Sequence, residues 1–98
     1  MSDADHAEAR VVITHAVGLH ARPSVKFTKL AKGFAARIEL ATAPSGPWVD
    51  AKSIVRVMAT RAPTGSELFL RAEGSDAPAA IAALAGLVQR NFDEGGHV

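Results

Sequence analysis

The hydrophobic period of this chain changes at Gly74. Before it, residues 67–73 alternate, with Leu68, Leu70 and Ala72 on one side. That is the period of a strand with one buried face. After it, Ile81, Leu84, Ala85, Val88 and Phe92 recur at helical spacing. Ser75 or Asp76 stands where the helix needs a cap. A strand with one apolar face, followed at once by a helix with one apolar stripe, calls for two layers. The helix must lie on the sheet, and the far side of the sheet can face water.

The rest of the chain repeats these two periods. Residues 10–14 (RVVIT) form a β-branched run and read as a strand. Residues 21–32 read as a helix. At about 100° per residue, Pro23, Phe27, Leu30, Ala31 and Phe34 fall on one arc and Arg22, Lys26, Lys29 and Lys32 on the opposite one. Gly33 is its stop. Residues 36–42 alternate, with Ile38 and Leu40 inward. APSGP (residues 43–47) is a turn, and residues 48–50 return as a short strand. Residues 53–58 make a short apolar helix carrying Ile54, Val57 and Met58. The order β-α-β-β-α-β-α predicts an α/β (α+β) open-faced sandwich. It has a four-stranded, mainly antiparallel sheet with three helices on one face. Residues 1–9 are expected to be a flexible terminus, 10–93 one domain, and 94–98 a flexible tail.

Composition narrows the chemistry. In 98 residues, 48% are apolar and the formal net charge is +1. That supports one modest core and a shallow surface site rather than a deep cleft. The chain has no cysteine, so disulfides and thiol catalysis are excluded. No apolar run approaches about 18 residues. The first ten residues are acidic and Ala-rich and do not read as a secretory signal. The expected location is the cytoplasm.

His20 stands at the start of the first helix. The opening N–H groups and the dipole of a helix favour an anion there. A phosphate on the imidazole would find donors in place, and only the neutral ring can attack phosphorus. Arg22 offers a planar cationic fork two residues on. Gly18 lets the backbone turn, and Pro23 fixes the first turn. A histidine at a helix start is also an ordinary surface or capping residue. Spacing alone leaves both readings open.

The segment GLHARPSVKFTKLA, residues 18–31, closely resembles the active-site signature of the histidine-containing phosphocarrier family, HPr, of the bacterial phosphotransferase system. AKSIVRVM, residues 51–58, resembles that family's other signature. Residues 65–88 are similar to its last strand and helix, so the likeness spans about residues 11–92. HAVGLH lacks the Asn or Ser often found shortly before the Gly, and the loop ending at Trp48 is longer than usual.

The resemblance implies a phosphoryl carrier rather than an enzyme. His20 would take a phosphoryl group on Nδ1 from Enzyme I, charged by phosphoenolpyruvate. It would pass the group to Enzyme IIA-type acceptors in sugar uptake. Arg22, with the backbone at Ala21 and Arg22, would bind the phosphate. Ser53 fits the serine that some members offer to an HPr kinase/phosphorylase; it also fits a plain helix N-cap. Arg56, where many kinase-regulated members have a small residue, weighs against regulation. The family docks partners on the face formed here by Pro23, Lys26, Lys29, Lys52, Ile54, Val55, Arg56 and Met58. An apolar centre with a charged rim suits a transient interface. Lys32, furthest from His20, reads equally well as solvated surface.

No cofactor is implied, and a monomer is expected, without membrane insertion. No metal site is assigned: His15 and His20 have poor ligand spacing, and His6 and His97 fall in the expected loose ends. Two alternatives stand beside this reading. A nitrogen-type, regulatory-branch phosphocarrier would use the same chemistry for control. A small RNA-binding α/β module would share the layer order and basic helix, but such modules expose aromatics for base stacking. Phe27, Phe34, Phe69, Phe92 and Trp48 mostly fit the core instead, so no nucleic-acid partner is expected.

Overall fold

The strand spanning residues 67–73 is the hub of the sheet. In the computed structural model, which describes residues 5–14 and 18–93, the strands are β1 (His6–Val12), β2 (Arg37–Ala41), β3 (Val49–Asp50) and β4 (Glu67–Glu73). Their order is β1-β4-β2-β3, and every pairing is antiparallel. The helices are α1 (Ala21–Ala31), α2 (Ile54–Ala59) and α3 (Ala77–Gln89). They pack on one face of the sheet, α3 along β1 and β4, and α1 against α2 and α3. The architecture is the open-faced sandwich that the two periods imply.

The core lies between the layers. Val11, Ile38, Leu40, Leu68, Leu70 and Ala72 point inward from the sheet. Phe27 and Ala31 of α1, Val57 of α2, and Ile81, Leu84, Leu87 and Val88 of α3 meet them. The outer sheet face carries cross-strand pairs instead: Arg10–Glu67 at 3.3 Å, and Arg37–Glu73 and Arg71–Glu39 at 2.8 Å. Trp48 sits here too, under the Arg71 guanidinium at 3.9 Å. Exposed pairs of this kind fix register more than they add stability.

Beyond shifts of one or two residues at element ends, the structure differs from the sequence expectation in three places. β1 begins at His6 rather than residue 10, because His6, Ala7, Glu8 and Ala9 pair with Glu73, Ala72, Arg71 and Leu70. Two alanines and two polar residues carry little β propensity, and the pairing with β4 overrides it. His6 therefore lies in a strand, 3.0 Å from Glu8, and not in a loose end. Phe92 does not continue the α3 stripe. After Arg90 the chain enters a left-handed turn at Asn91, Phe92 and Asp93, with φ of 55°, 57° and 59°. That turn delivers the Phe92 ring, fully buried, to the core. Asp76 holds the N-cap position of α3 without capping it. Its two carboxylate oxygens accept from the Ala35 and Ala36 N–H groups, each at 2.8 Å. His15 and His97 lie outside the described residues.

Candidate functional site

His20 is the N-cap residue of α1, in extended backbone, and its side chain makes no capping bond. The ring is exposed. The Ser24 N–H opens the intrahelical ladder by donating to the His20 carbonyl at 3.0 Å. Helix geometry gives the N–H groups of a first turn no acceptor inside the helix; here they belong to Ala21 and Arg22, since Pro23 has none. The first turn holds no acidic residue. Pro23, in that turn, is fully buried. It sets the helix start from beneath and offers no contact surface, which corrects its assignment to the docking face.

Gly18 makes the approach to His20 feasible. Its φ is +71°, and a Cβ there would stand 2.4 Å from the Ala62 carbonyl oxygen. The next residue, Leu19, donates its N–H to that same oxygen at 2.9 Å and buries its side chain. The loop after α2 is thereby clamped against the loop before α1. Between them lies an open hollow of about 840 Å³, lined by Leu19, His20, Met58, Arg61, Ala62 and Thr64, among others. Arg22 lines a separate hollow with Ala21, Val25 and Lys26.

The residues expected on a docking face are distributed unevenly. Val55 is 73% exposed and Met58 38%, while Val57 is buried and Ile54 half-buried. Lys26, Lys29 and Arg56 are exposed. Lys52 is half-buried, and its ammonium donates to the Phe34 carbonyl at 2.7 Å, so much of its charge is engaged at the α1–β2 turn. Ser53 caps α2: its hydroxyl accepts from the Arg56 N–H at 3.3 Å. Val25 is 49% exposed on α1. It falls within the basic arc of the helical wheel, between Lys32 and Lys29, so the pattern did not single it out. Arg61 and Thr64 were missed as well, because nothing in the local sequence ties a loop past residue 60 to His20. The signal lies in the long-range pairing of Leu19 with Ala62.

Of the aromatic residues, Phe27 and Phe92 are buried and Phe34 packs against the core. Phe69 and Trp48 stay half-buried on the sheet's outer side, away from His20. Among the described residues, no His, Asp and Glu cluster could hold a metal ion, and no helix is long and apolar enough to cross a membrane.

Comparisons with known proteins agree with this geometry. A family profile described as the PTS HPr component phosphorylation site matches residues 7–90. The phosphocarrier protein HPr of Cupriavidus necator is 41% identical over 83 residues, covering 85% of this chain and 91% of that protein. HPr of Pseudomonas aeruginosa is 36% identical over 85 residues, covering 87% and 93%. Among solved structures, HPr-C-His from Thermoanaerobacter tengcongensis superposes with a TM-score of 0.84 at 34% identity, covering 92% of this chain and 99% of that one. HPr from Bacillus anthracis gives a TM-score of 0.76 at 38% identity, covering 83% and 94%. The chain belongs to the HPr family of phosphocarrier proteins of the phosphotransferase system.

Proposed function

We propose that His20 is the phosphoryl-carrying residue, charged by Enzyme I with phosphoenolpyruvate as the source and discharged to Enzyme IIA-type acceptors in sugar uptake. The observation that carries this reading is the exposed His20 at the N-cap of α1, its side chain unused in capping and the first turn free of acidic residues. The neutral imidazole attacks phosphorus, and the backbone of Ala21 and Arg22 with the Arg22 guanidinium receives the phosphoryl oxygens. The phosphoramidate so formed is energy-rich, so the group can move on. Positioning and charge stabilisation do most of the catalysis, and the partner supplies part of both.

Partners dock on Val55 and Met58, with Ile54, Lys26, Lys29 and Arg56 around them; Lys52 contributes through its field more than by contact. The protein works as a cytoplasmic monomer. Ser53, as the α2 cap, is a regulatory site for an HPr kinase/phosphorylase, since a phosphate there would place a dianion beside the docking surface.

Intact mass after incubation with phosphoenolpyruvate, Mg²⁺ and Enzyme I tests the assignment. Wild type gains one acid-labile phosphoryl group and His20→Ala gains none. An equal gain in the variant would move the site elsewhere. A gain only with a nitrogen-branch Enzyme I would replace sugar uptake by regulation. Incubation with ATP and the kinase tests Ser53: an acid-stable gain, absent in Ser53→Ala, is expected.

A further inference from the structure

One cation shares the His20 hollow, and it is not the one beside it in sequence. Arg61 lines the hollow with His20, while Arg22 lines the neighbouring one. The placement is fixed by backbone. Ala62 accepts the Leu19 N–H at 2.9 Å, so the residues adjoining that bond include both His20 and Arg61.

Arg61 is held there against its backbone preference. It directly follows Thr60, the C-cap of α2, and takes φ of +52° while its N–H returns to the Met58 carbonyl at 3.1 Å. Helices close this way on glycine or asparagine, which tolerate the left-handed region. A long β-carbon-bearing residue in that position needs a reason, and strain of this kind concentrates at functional sites. Among the described residues, the Arg61 guanidinium makes no ion pair or hydrogen bond. The side chain is exposed.

We propose that the Arg61 guanidinium is a second phosphoryl-binding group of this site, taking phosphoryl oxygens from the α2 side of the hollow. This rests on His20 being the carrier. Guanidinium geometry suits a phosphoryl group better than a lysine does, because two N–H groups can meet two oxygens at once. Charge on those oxygens is then met from two directions: helix N–H groups and Arg22 on one side, Arg61 on the other.

The test uses a donor too small to dock. With phosphoramidate, the His20 ring nitrogen bonds to phosphorus as the P–N bond of the donor breaks. Ammonia leaves with the electron pair and with the proton given up by the imidazole. Arg61→Gly is the variant of choice, because glycine suits φ of +52° and the fold should melt no lower than wild type. Wild type should form phosphohistidine about tenfold faster than Arg61→Gly, the effect of one charge-assisted contact. Arg61→Lys should fall between them. Equal rates with phosphoramidate would overturn the proposal, even if the variant were slower with Enzyme I, since that would make Arg61 a docking residue. A wild-type protein that takes no phosphoryl group on His20 from either donor would overturn the carrier reading itself, and this proposal with it.

Discussion

At Gly18 the chain has a φ of +71° with the Ala62 carbonyl only 2.4 Å from where a Cβ would sit. No rotamer relieves that contact, because backbone stands on both sides. Gly18→Ala is expected to cost about 2–4 kcal/mol, combining left-handed strain with overpacking. The urea midpoint should fall by the corresponding amount, and phosphorylation of His20 should slow because the loop before α1 shifts. A variant with an unchanged midpoint would mean that the clamp between the two loops is soft. Local sequence made Gly18 and Pro23 legible as devices of a helix start. It did not show that Ser24 and Thr28 are buried on the same helix. Thr28 returns its hydroxyl to the Ser24 carbonyl. The Ser24 hydroxyl finds no partner among the described residues.

Individual elements were readable where one period ran cleanly. β4 has the expected bounds and α1 ends one residue short, since both carry an unbroken alternation or stripe. Element ends were less legible, because tertiary bonds decide them. Asp76 is the clearest case. It occupies a cap position by sequence, yet its carboxylate ties α3 to the turn before β2. The Ala35 N–H does most to hold its pKa below the ordinary 3.8, against partial desolvation, with the Ala36 N–H and the Lys52 charge adding to it. The charged form is the one bonded in the fold, so the unfolded chain binds the proton more readily. This contribution is complete above pH 3.8 and is lost as pH falls through the lower folded value. Asp76→Ala should therefore be less stable than wild type at neutral pH, and the gap should narrow under acid. A gap that stays constant from pH 7 to strong acid would show that the bonds to Ala35 and Ala36 contribute nothing.

For the whole molecule, the layer arrangement was legible and the extent of the sheet was not. The alternation between strand and helix periods constrains the chain to helices on one sheet face. The pairing of β1 with β4 recruits residues whose own sequence argues for a loose terminus. Ala7 and Ala9 pack against the core from that strand. Deleting residues 1–9 removes four of the seven β1–β4 pairs, so the urea midpoint should drop clearly while the remaining domain still folds. An unaltered midpoint would return those residues to the status of a dispensable tail. The site has the same character at this scale. Short motifs put forward His20, Arg22 and Ser53 as candidates, whereas Arg61 becomes one only because the fold brings the loop after α2 to the start of α1.

The most direct test of the carrier account is a charge-and-chase measurement. The protein is labelled on phosphorus with Enzyme I and phosphoenolpyruvate, freed of the donor, and mixed with an Enzyme IIA-type acceptor. The account predicts that label leaves His20 and appears on the acceptor in equal amount, and that His20→Ala neither takes nor gives any. Label that enters this protein but never reaches an acceptor, or that enters His20→Ala as readily as wild type, would contradict it.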